Sequence, residues 1–278
     1  MNADLGEFVS TIYPCKFESQ KVQAADVPKA LAKLTHAETL GPTGPSIPLL
    51  AAQAFLIELS SIMLGKENRG ILIPPDILHL AGRRPHRSHS HIPVSLALIN
   101  LRLWSKKSGG IPPKSYVTVE ADIAVALVSL LRRCFPDDDI FVATPHRIQR
   151  DAVKMALRKA LDDETLEESL GRLSISDEYA RHGVTVETIE RLQGSEAPFV
   201  ICLFSTPISS PDHLGFLLER RRLNVAISRT KTLCIVISSD AVLSPPTRAL
   251  ANETTTKGYA FLKEYQRRSW CYELPLEV

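Results

Sequence analysis

The sequence lacks several features that would assign it at once to a large class of protein. It has no apolar run near the roughly 20 residues that a membrane-spanning helix needs, and its N-terminus has no apolar segment typical of a signal peptide. Charge of one sign is also missing, because 33 Lys and Arg against 31 Asp and Glu leave a net charge of +2. Any electrostatic argument for a partner must therefore be local, and we expect no membrane partner.

Cysteine is scarce and is not arranged for metal binding. The five cysteines have no Cys-x-x-Cys spacing, and Cys202 and Cys234 lie inside apolar runs. The stretch "HLAGRRPHRSHSH" (79–91) places His86, His89 and His91 close together, but without an acidic or cysteine ligand nearby an exposed basic loop is the favoured interpretation. We expect a reducing compartment, nuclear or cytoplasmic, and no metal site.

A phosphate-binding loop is also lacking. Such a loop needs the pattern G-x-x-x-x-G-K-[ST], whose consecutive backbone N–H groups surround the phosphates. In "GGIPPKS" (109–115), Lys114 follows two prolines that have no N–H to donate, and "GPTGPS" (41–46) has no lysine. No apolar strand ends in Asp-Glu to hold a nucleotide-bound magnesium ion. We expect the chain as given to have no triphosphate cradle of its own.

What the sequence does contain is the alternation of an α/β domain. Its 278 residues, 44% hydrophobic and 23% charged, suffice for one large domain or two smaller ones. From residue 139 to 240, near-continuous apolar runs alternate with helical patterns, which predicts a mostly parallel sheet flanked by helices. The runs are "DIFVAT" (139–144), "VTVETI" (184–189), "PFVICLFS" (198–205) and "TLCIVISS" (232–239), and the helices are expected at about 120–135, 146–160 and 246–267.

The first 115 residues have a weaker pattern. Proline and glycine clusters at 41–48, 73–76 and 108–115 divide them into short pieces. One helix is predicted at about 49–64. We expect long irregular connections elsewhere in this partly helical N-terminal region.

The stretch "RRRLNVAISRTK" (220–231) combines a buried helix with arginine. On a helical wheel Leu223, Ala226, Ile227 and Thr230 form one apolar stripe, and Arg222 and Arg229 lie along its edge. The simple interpretation is that both arginines lay their stems on the core and keep their charged groups in water.

A second polar stretch, "ETIERLQGSEAPFVI" (187–201), lies between two predicted strands. The carboxyl ends of strands are where open α/β sheets bind ligands. Taken alone, Gln193-Gly194 in this stretch indicates only a turn.

These two stretches, together with "ATPHRIQR" (143–150), resemble motifs IV, V and VI of superfamily 1 helicases. The resemblance is to the group that contains the nonsense-mediated-decay RNA helicase and the replication helicase-nuclease. It implies a RecA-like P-loop NTPase-type fold, here the second lobe, which has no P-loop. The start "MNADLGEFVSTIYPCKF" (1–17), with Met1, Leu5, Phe8 and Tyr13, is similar to the segment after motif III, so a first lobe is expected upstream.

The resemblance implies an ATP site, with its Mg²⁺, shared with that first lobe. Arg150 and Arg229 would reach the γ-phosphate, since planar guanidinium groups suit a triphosphate whose charge spreads in the transition state. Glu196 would accept hydrogen bonds from the ribose hydroxyls. The remaining residues expected to line this cleft are Gln149, Gly194 and Arg222. Two alternatives remain: Gln149 could cap its helix, and Glu196 could pair with a surface arginine.

The resemblance also implies contacts with single-stranded DNA or RNA. Thr188, Gln193 and the loop formed by Thr144, Pro145 and Arg147 would meet the nucleic-acid backbone, where hydroxyl and backbone N–H groups position a strand without reading its sequence. The expected partners are therefore a single strand and a first RecA-like lobe, in cis or in trans.

The sequence departs from the family at several positions. Pro198 replaces a residue that is usually acidic, and His146 stands where an aromatic residue is common. We divide the chain into residues 1–17 as the start of the second lobe, 18–115 as an insertion or linker that does not match the family, and 116–278 as the lobe itself. Three functions stay open: half of a helicase that is inactive alone, a non-catalytic nucleic-acid-binding or regulatory module, and an unrelated α/β nucleotide-binding protein.

Overall fold

The computed structural model describes residues 3–11, 26–36, 46–64, 95–106, 111–162, 183–206 and 211–278. Predictions for other positions, among them the histidine-rich stretch 79–91, Met1 and Tyr13, lie outside the described residues. Within these ranges the chain is an α/β structure built on one sheet. None of its described helices is long and apolar enough to cross a membrane.

The sheet has six strands, all parallel, in the order β3-β2-β4-β5-β1-β6. The four apolar runs predicted between residues 139 and 240 are all strands, which confirms the α/β fold. The near-continuous burial of β2, β4 and β5 matches strands that are covered by helices on both faces, whereas the edge strand β3 has an exposed residue, Thr185. The strands are β1 (Leu96–Trp104), β2 (Ile140–Thr144), β3 (Val184–Thr188), β4 (Ala197–Phe204), β5 (Thr230–Ser239) and β6 (Trp270–Glu277).

Helices cover both faces of the sheet, because successive side chains of each strand point to opposite sides. Helices α2 to α5 share one core with the sheet, and α1 and α6 to α9 share the other. The α-helices are α1 (Ala3–Val9), α2 (Asp26–Ala32), α3 (Ile47–Met63), α4 (Pro113–Cys134), α5 (Arg147–Asp162), α6 (Pro211–Leu217), α7 (Arg220–Ser228), α8 (Asp240–Leu243) and α9 (Glu253–Arg268); short 3₁₀ helices span Lys33–His36, Ile189–Leu192 and Thr247–Ala251.

Two strands were not predicted. β1 lies within the range 18–115, where we expected irregular connections around a single helix, and β6 follows the predicted C-terminal helix. β1 pairs with both β5 and β6, so its partners are strands more than 120 residues further along the chain. The division of the chain at residues 17 and 115 stays a prediction, but β1 and α3 belong to the same core as α4.

The arginine-rich helix is shorter than its wheel suggested. α7 ends at Ser228, and Thr230 is the first residue of β5 rather than part of the apolar stripe. The stripe is otherwise confirmed, because Leu223, Ala226 and Ile227 are at most 1% exposed. This short helix brings Arg229 to the turn between α7 and β5.

Gly258 allows α9 to pack directly against the segment that leads into α7. A Cβ atom placed on Gly258 would lie 1.4 Å from the backbone oxygen of Leu218. Any residue other than glycine at this position would therefore force the backbone to move. The position of α7, and of the arginines on it, therefore depends on a glycine in the helix behind it.

We predict that Gly258→Ala destabilises the fold by about 3 kcal/mol or more, because backbone must shift to relieve the overlap. Gly215→Ala in α6 is the control, since its added Cβ would meet only the hydroxyl of Thr255, at 3.2 Å. Urea unfolding followed by circular dichroism measures both. Equal, small changes in the two variants would contradict the close packing.

Candidate functional site

The three segments that carry the helicase resemblance lie at the carboxyl ends of two neighbouring strands and in α7. "ATPHRIQR" runs from the end of β2 into the first turn of α5, and the second segment follows β3. The second and third segments are in direct contact, because the backbone N–H of Ala197 donates to the oxygen of Arg229 at 2.9 Å. The fold therefore gathers segments more than 70 residues apart in the sequence.

The turn after β3 is built around Gly194. This residue has φ of 91°, a left-handed conformation that glycine adopts without steric cost. The space that a Cβ atom would fill is open, and Gln193, Gly194 and Glu196 are exposed. The turn thus presents its backbone to solvent, as the predicted contacts with ATP and with a strand require.

Arg229 is held only by neutral oxygen atoms. Its Nε donates to the oxygen of Val225 at 3.2 Å, and its Nη2 donates to the hydroxyl of Ser228 at 3.1 Å. A longer contact of 3.5 Å joins Nη1 to the oxygen of Ser195 in the second segment. Within the part of the chain that the structure describes, no carboxylate pairs with it. Among the described residues its charge therefore has no counter-charge.

Arg222, by contrast, is bound within the chain. Its guanidinium group donates to Glu190 at 2.8 Å and to the oxygen of Phe216 at 2.7 Å, pairs with Glu219 at 3.1 Å, and lies 3.8 Å from the centre of the Phe216 ring. Burial raises the pKa of Glu190, but the hydrogen bond and charge of Arg222 outweigh burial, so that the pKa lies below its usual value. Arg222 links the second segment to α6 and α7. Its contact with ATP stays a prediction.

Arg150 lies beside two carboxylates. Its Nη2 is 2.8 Å from Asp151, and its Nη1 is 3.6 Å from Glu187, the residue before the last of β3. Glu187 also lies within 4 Å of Lys154 and Arg191. The first and second segments thus meet through one shared carboxylate.

Gln149 points into the protein. Only 3% of it is exposed, and its Nε2 donates to the buried carboxylate of Glu120 in α4 at 2.7 Å. The sequence offered two roles, nucleotide binding or helix capping; the amide instead joins α5 to α4. Its Oε1 is buried and has no hydrogen-bond partner among the described residues. Contact with a nucleotide stays a prediction.

Glu120 was missed by the sequence analysis. Its carboxylate also accepts the backbone N–H of Ser205, just after β4, at 2.8 Å. Beside it, the hydroxyl of Ser239 at the end of β5 donates to the oxygen of Thr206 and accepts from its N–H. Polar contacts therefore continue from α5 across the ends of β4 and β5. In sequence, Glu120 stands two residues before a second acidic residue, Asp122, and the pattern of α4 did not distinguish the two.

The remaining predicted residues lie at the ends of β2 and β3 and in the segments that follow these strands. Glu196 is exposed and lies 3.8 Å from Lys231, a weak surface pair with lysine rather than the arginine that the alternative named. Pro145 is buried and Arg147 is exposed. Thr144 and Thr188 are buried at the strand ends, and the hydroxyl of Thr144 donates to the backbone oxygen of Glu187 at 3.3 Å. Contacts of these residues with ATP or nucleic acid stay predictions.

A stack of rings also lies beside the first segment. His146, the departure from the family pattern, stacks on Phe216 at 4.5 Å and on His213 at 5.1 Å, both in α6. Burial, followed by the nearby charges of His213 and Arg222, lowers the pKa of His146. The imidazole therefore substitutes for the usual aromatic ring. Elsewhere in the described ranges, no group of three or more His, Cys, Asp or Glu is placed to hold a metal ion.

Burial raises the pKa of Glu120 to about 7, from 4.5 in a solvated carboxyl. Since the folded state binds the proton more tightly, the stability linked to this group is full below pH 4.5 and is lost as the pH rises toward 7.

We predict that the free energy of unfolding of Glu120→Gln, relative to that of wild type, increases by about 3 kcal/mol as the pH rises from 5 to 8. The introduced amide can accept the Ser205 N–H and donate to the unpaired Oε1 of Gln149 once that side chain rotates. Urea unfolding at several pH values measures this difference. The control is Glu253→Gln, an exposed carboxylate on α9, which should show no comparable pH-dependent gain. Parallel pH curves for wild type and Glu120→Gln would contradict the assignment.

Comparisons with known protein sequences support the helicase resemblance. The AAA domain family matches residues 83–241, more than half of the chain, including β1 and all three segments. The RNA helicase Mov10l1 of Mus musculus is 31% identical over 112 residues, which cover 38% of this chain and 8% of that protein. MOV-10 of Gallus gallus, a candidate helicase by its name, is 26% identical over 178 residues, which cover 55% of this chain and 17% of that protein.

The chain thus spans less than a fifth of the length of the curated relatives that it matches. The matched part includes five of the six strands, all but β6, and the three segments. By its fold, its three segments and the family match, this chain belongs to the AAA domain family of superfamily 1 helicases.

Proposed function

We propose that this chain is the second RecA-like lobe of an ATP-dependent helicase that moves along a single strand. The lobe supplies arginine side chains to an ATP site that it shares with a first lobe. The observation that carries the proposal is the position of Arg229, a charge with no carboxylate partner among the described residues, held beside the exposed turn at Gly194. A fixed, uncompensated guanidinium group is suited to a phosphate that becomes more negative during transfer.

ATP with Mg²⁺ is the cofactor that this arrangement fits. ATP supplies a γ-phosphoryl group whose transfer to water releases free energy. The residues of this chain hold one side of it: Arg229 neutralises phosphate charge, and the exposed Glu196 accepts from the ribose hydroxyls. Arg150 reaches phosphate by leaving Asp151 and Glu187. Magnesium ligands and the phosphate loop are contributed by the first lobe.

Single-stranded RNA is the substrate class that we propose. The relatives named Mov10l1 are RNA helicases by name, in mouse and in human. In this chain Arg147 follows the carboxyl end of β2, and the exposed Gln193 and the backbone of the Gly194 turn lie in the connection from β3 to β4. These groups can hold a phosphate backbone without reading bases.

A non-catalytic nucleic-acid-binding or regulatory module is the second candidate. It is favoured by the ion pairs of Arg150 and Arg222. These pairs place two of the three arginines predicted at the ATP site against the chain's own carboxylates. A lobe that only binds a strand needs no free arginine at an ATP site. The two candidates differ in what Arg229 does.

We predict that the chain by itself binds a labelled single strand weakly, at micromolar or higher dissociation constant near physiological salt, and that binding falls as salt rises. One lobe offers only part of a bipartite channel and so makes few phosphate contacts. Fluorescence anisotropy over a series of KCl concentrations measures this. Sub-micromolar, salt-insensitive binding would favour the non-catalytic module.

We predict that Arg229→Ala lowers strand-stimulated ATP turnover at least about 10³-fold in a protein in which this lobe is joined to a first lobe. Lysine should not restore turnover, because a point charge on a flexible stem cannot reproduce the planar group. The cost in stability should stay within about 1 kcal/mol, since the lost hydrogen bonds are to neutral acceptors.

The measurements are the ATPase rate and a thermal melt of wild type, Arg229→Ala and Arg229→Lys. Arg267→Ala is a suitable control, because this arginine is exposed and paired with Glu264 at the opposite edge of the sheet. A clear loss of stability with unchanged turnover would show that Arg229 is only a structural residue at the end of α7. That result would also remove the observation that carries the proposed function.

A further inference from the structure

A cluster of three cations surrounds the carboxylate of Glu187 where β3 ends. Lys154 lies 3.3 Å from it, Arg150 3.6 Å and Arg191 3.7 Å. Arg150 and Lys154 come from α5, and Arg191 comes from the short helix that follows β3. Two of the three were assigned no role by the sequence or by the helicase motifs.

The contacts in this cluster are loose. Other guanidinium–carboxylate pairs in the chain close to 2.8 Å, as between Arg102 and Glu273 or Arg222 and Glu190. The Glu187 carboxylate is shared among the three cations and the backbone N–H of Thr188, and the shortest of these contacts is the 3.2 Å bond from Thr188. Arg191 is the least engaged member, since its side chain is 63% exposed and 3.7 Å from Glu187.

The cluster adjoins the residues expected to meet a nucleic-acid strand. The hydroxyl of Thr144 donates to the backbone oxygen of Glu187, and Thr188 is the next residue along the chain. β3 is an edge strand of the sheet, and Arg191 lies just past its carboxyl end, on the short helix that continues from Thr188. A strand that crosses the ends of β2 and β3 would reach Arg191 next.

We propose that Arg191 forms a binding position for a backbone phosphate of a single-stranded nucleic acid, and that the Glu187 carboxylate occupies this position in the absence of a strand. This inference rests on the proposed function, because it extends the path of the strand beyond Thr144 and Thr188. Lys154, only 20% exposed, adds charge from beneath. A backbone phosphodiester has the same negative charge and the same number of strong acceptor oxygens as the carboxylate, and it is not fixed to β3, so it can approach the cations more closely and replace the long contacts with shorter ones.

The two members of the cluster should act in opposite directions. Arg191→Ala removes one phosphate contact, which weakens binding and makes the dependence of log K on log salt shallower by about 0.7, the value for one contact on a single strand. Glu187→Gln removes the competing charge while keeping an acceptor for the Thr188 N–H. It should tighten binding about fivefold.

The experiment titrates the full chain into a fluorescein-labelled oligouridine at several KCl concentrations. Arg267→Ala and Glu264→Gln are matched controls. The side chain of Arg267 is 63% exposed, like that of Arg191, and Glu264 is shared by cations, like Glu187, although by two rather than three. Both lie at the end of α9, where β6 begins, and thus at the opposite edge of the sheet. They should leave affinity and salt dependence unchanged. Thermal melts of all variants confirm that each is folded.

Several outcomes would overturn the proposal. If wild type binds the strand and neither Arg191→Ala nor Glu187→Gln alters affinity or salt dependence, the cluster only stabilises the packing of α5 on β3. Equal weakening by Arg191→Ala and Arg267→Ala would indicate unspecific attraction. If Arg191→Ala abolishes the binding of a fluorescent ATP analogue and leaves strand binding unchanged, the cluster binds a nucleotide phosphate instead. If wild type binds no single strand, the proposed function fails and this inference fails with it.

Discussion

The carboxyl edge of the sheet depends on one buried group, the carboxylate of Glu120. It accepts the amide of Gln149 and the backbone N–H of Ser205, and so joins α4, α5 and the end of β4. Taking this carboxyl group out of water raises its pKa to about 7, which means that the fold bears a real cost to keep it there. Such a cost is tolerated when the hydrogen bonds specify an arrangement that apolar packing alone would leave variable. The arrangement specified here is the first turn of α5, which carries Arg147 and Arg150.

The two arginines Arg222 and Arg229 differ in the groups that surround them. Arg222 is enclosed by Glu190, Glu219 and the Phe216 ring, so it acts as a fastener between segments. Arg229 has only neutral acceptors among the described residues, and its charge is available to an anion. They are seven residues apart in the sequence, so that a helical wheel predicts equivalent positions for them. Their environments differ because α7 ends at Ser228, which places Arg229 in the turn and leaves Arg222 facing α6.

The sequence predicted the elements whose signals are local. The four apolar runs between residues 139 and 240, the helices around them and the stripe of α7 could be recognised because burial on both faces demands continuous apolar residues. β1 and β6 could not, since each is defined by a partner far away in the sequence and β1 follows a region rich in proline and glycine. For the site, motif spacing indicated Arg229 and the Gly194 turn. Nothing local indicated that Gln149 faces Glu120, because the direction of a side chain is decided by the helix packed against it.

The two carboxylates at this edge differ in what surrounds them, and that difference bears on mechanism. Glu120 is fully buried and has two short, neutral donors, so that moving it would expose polar groups to an apolar core. Glu187 is partly open to water and has three distant cations, so that exchanging it for another anion costs little. A lobe that must grip and release a strand needs both kinds of group within one surface. In the proposed function, the rigid carboxylate would keep the first turn of α5 in place, and the exchangeable one would let Arg150 and Arg191 turn toward phosphate without the strands beneath them changing register.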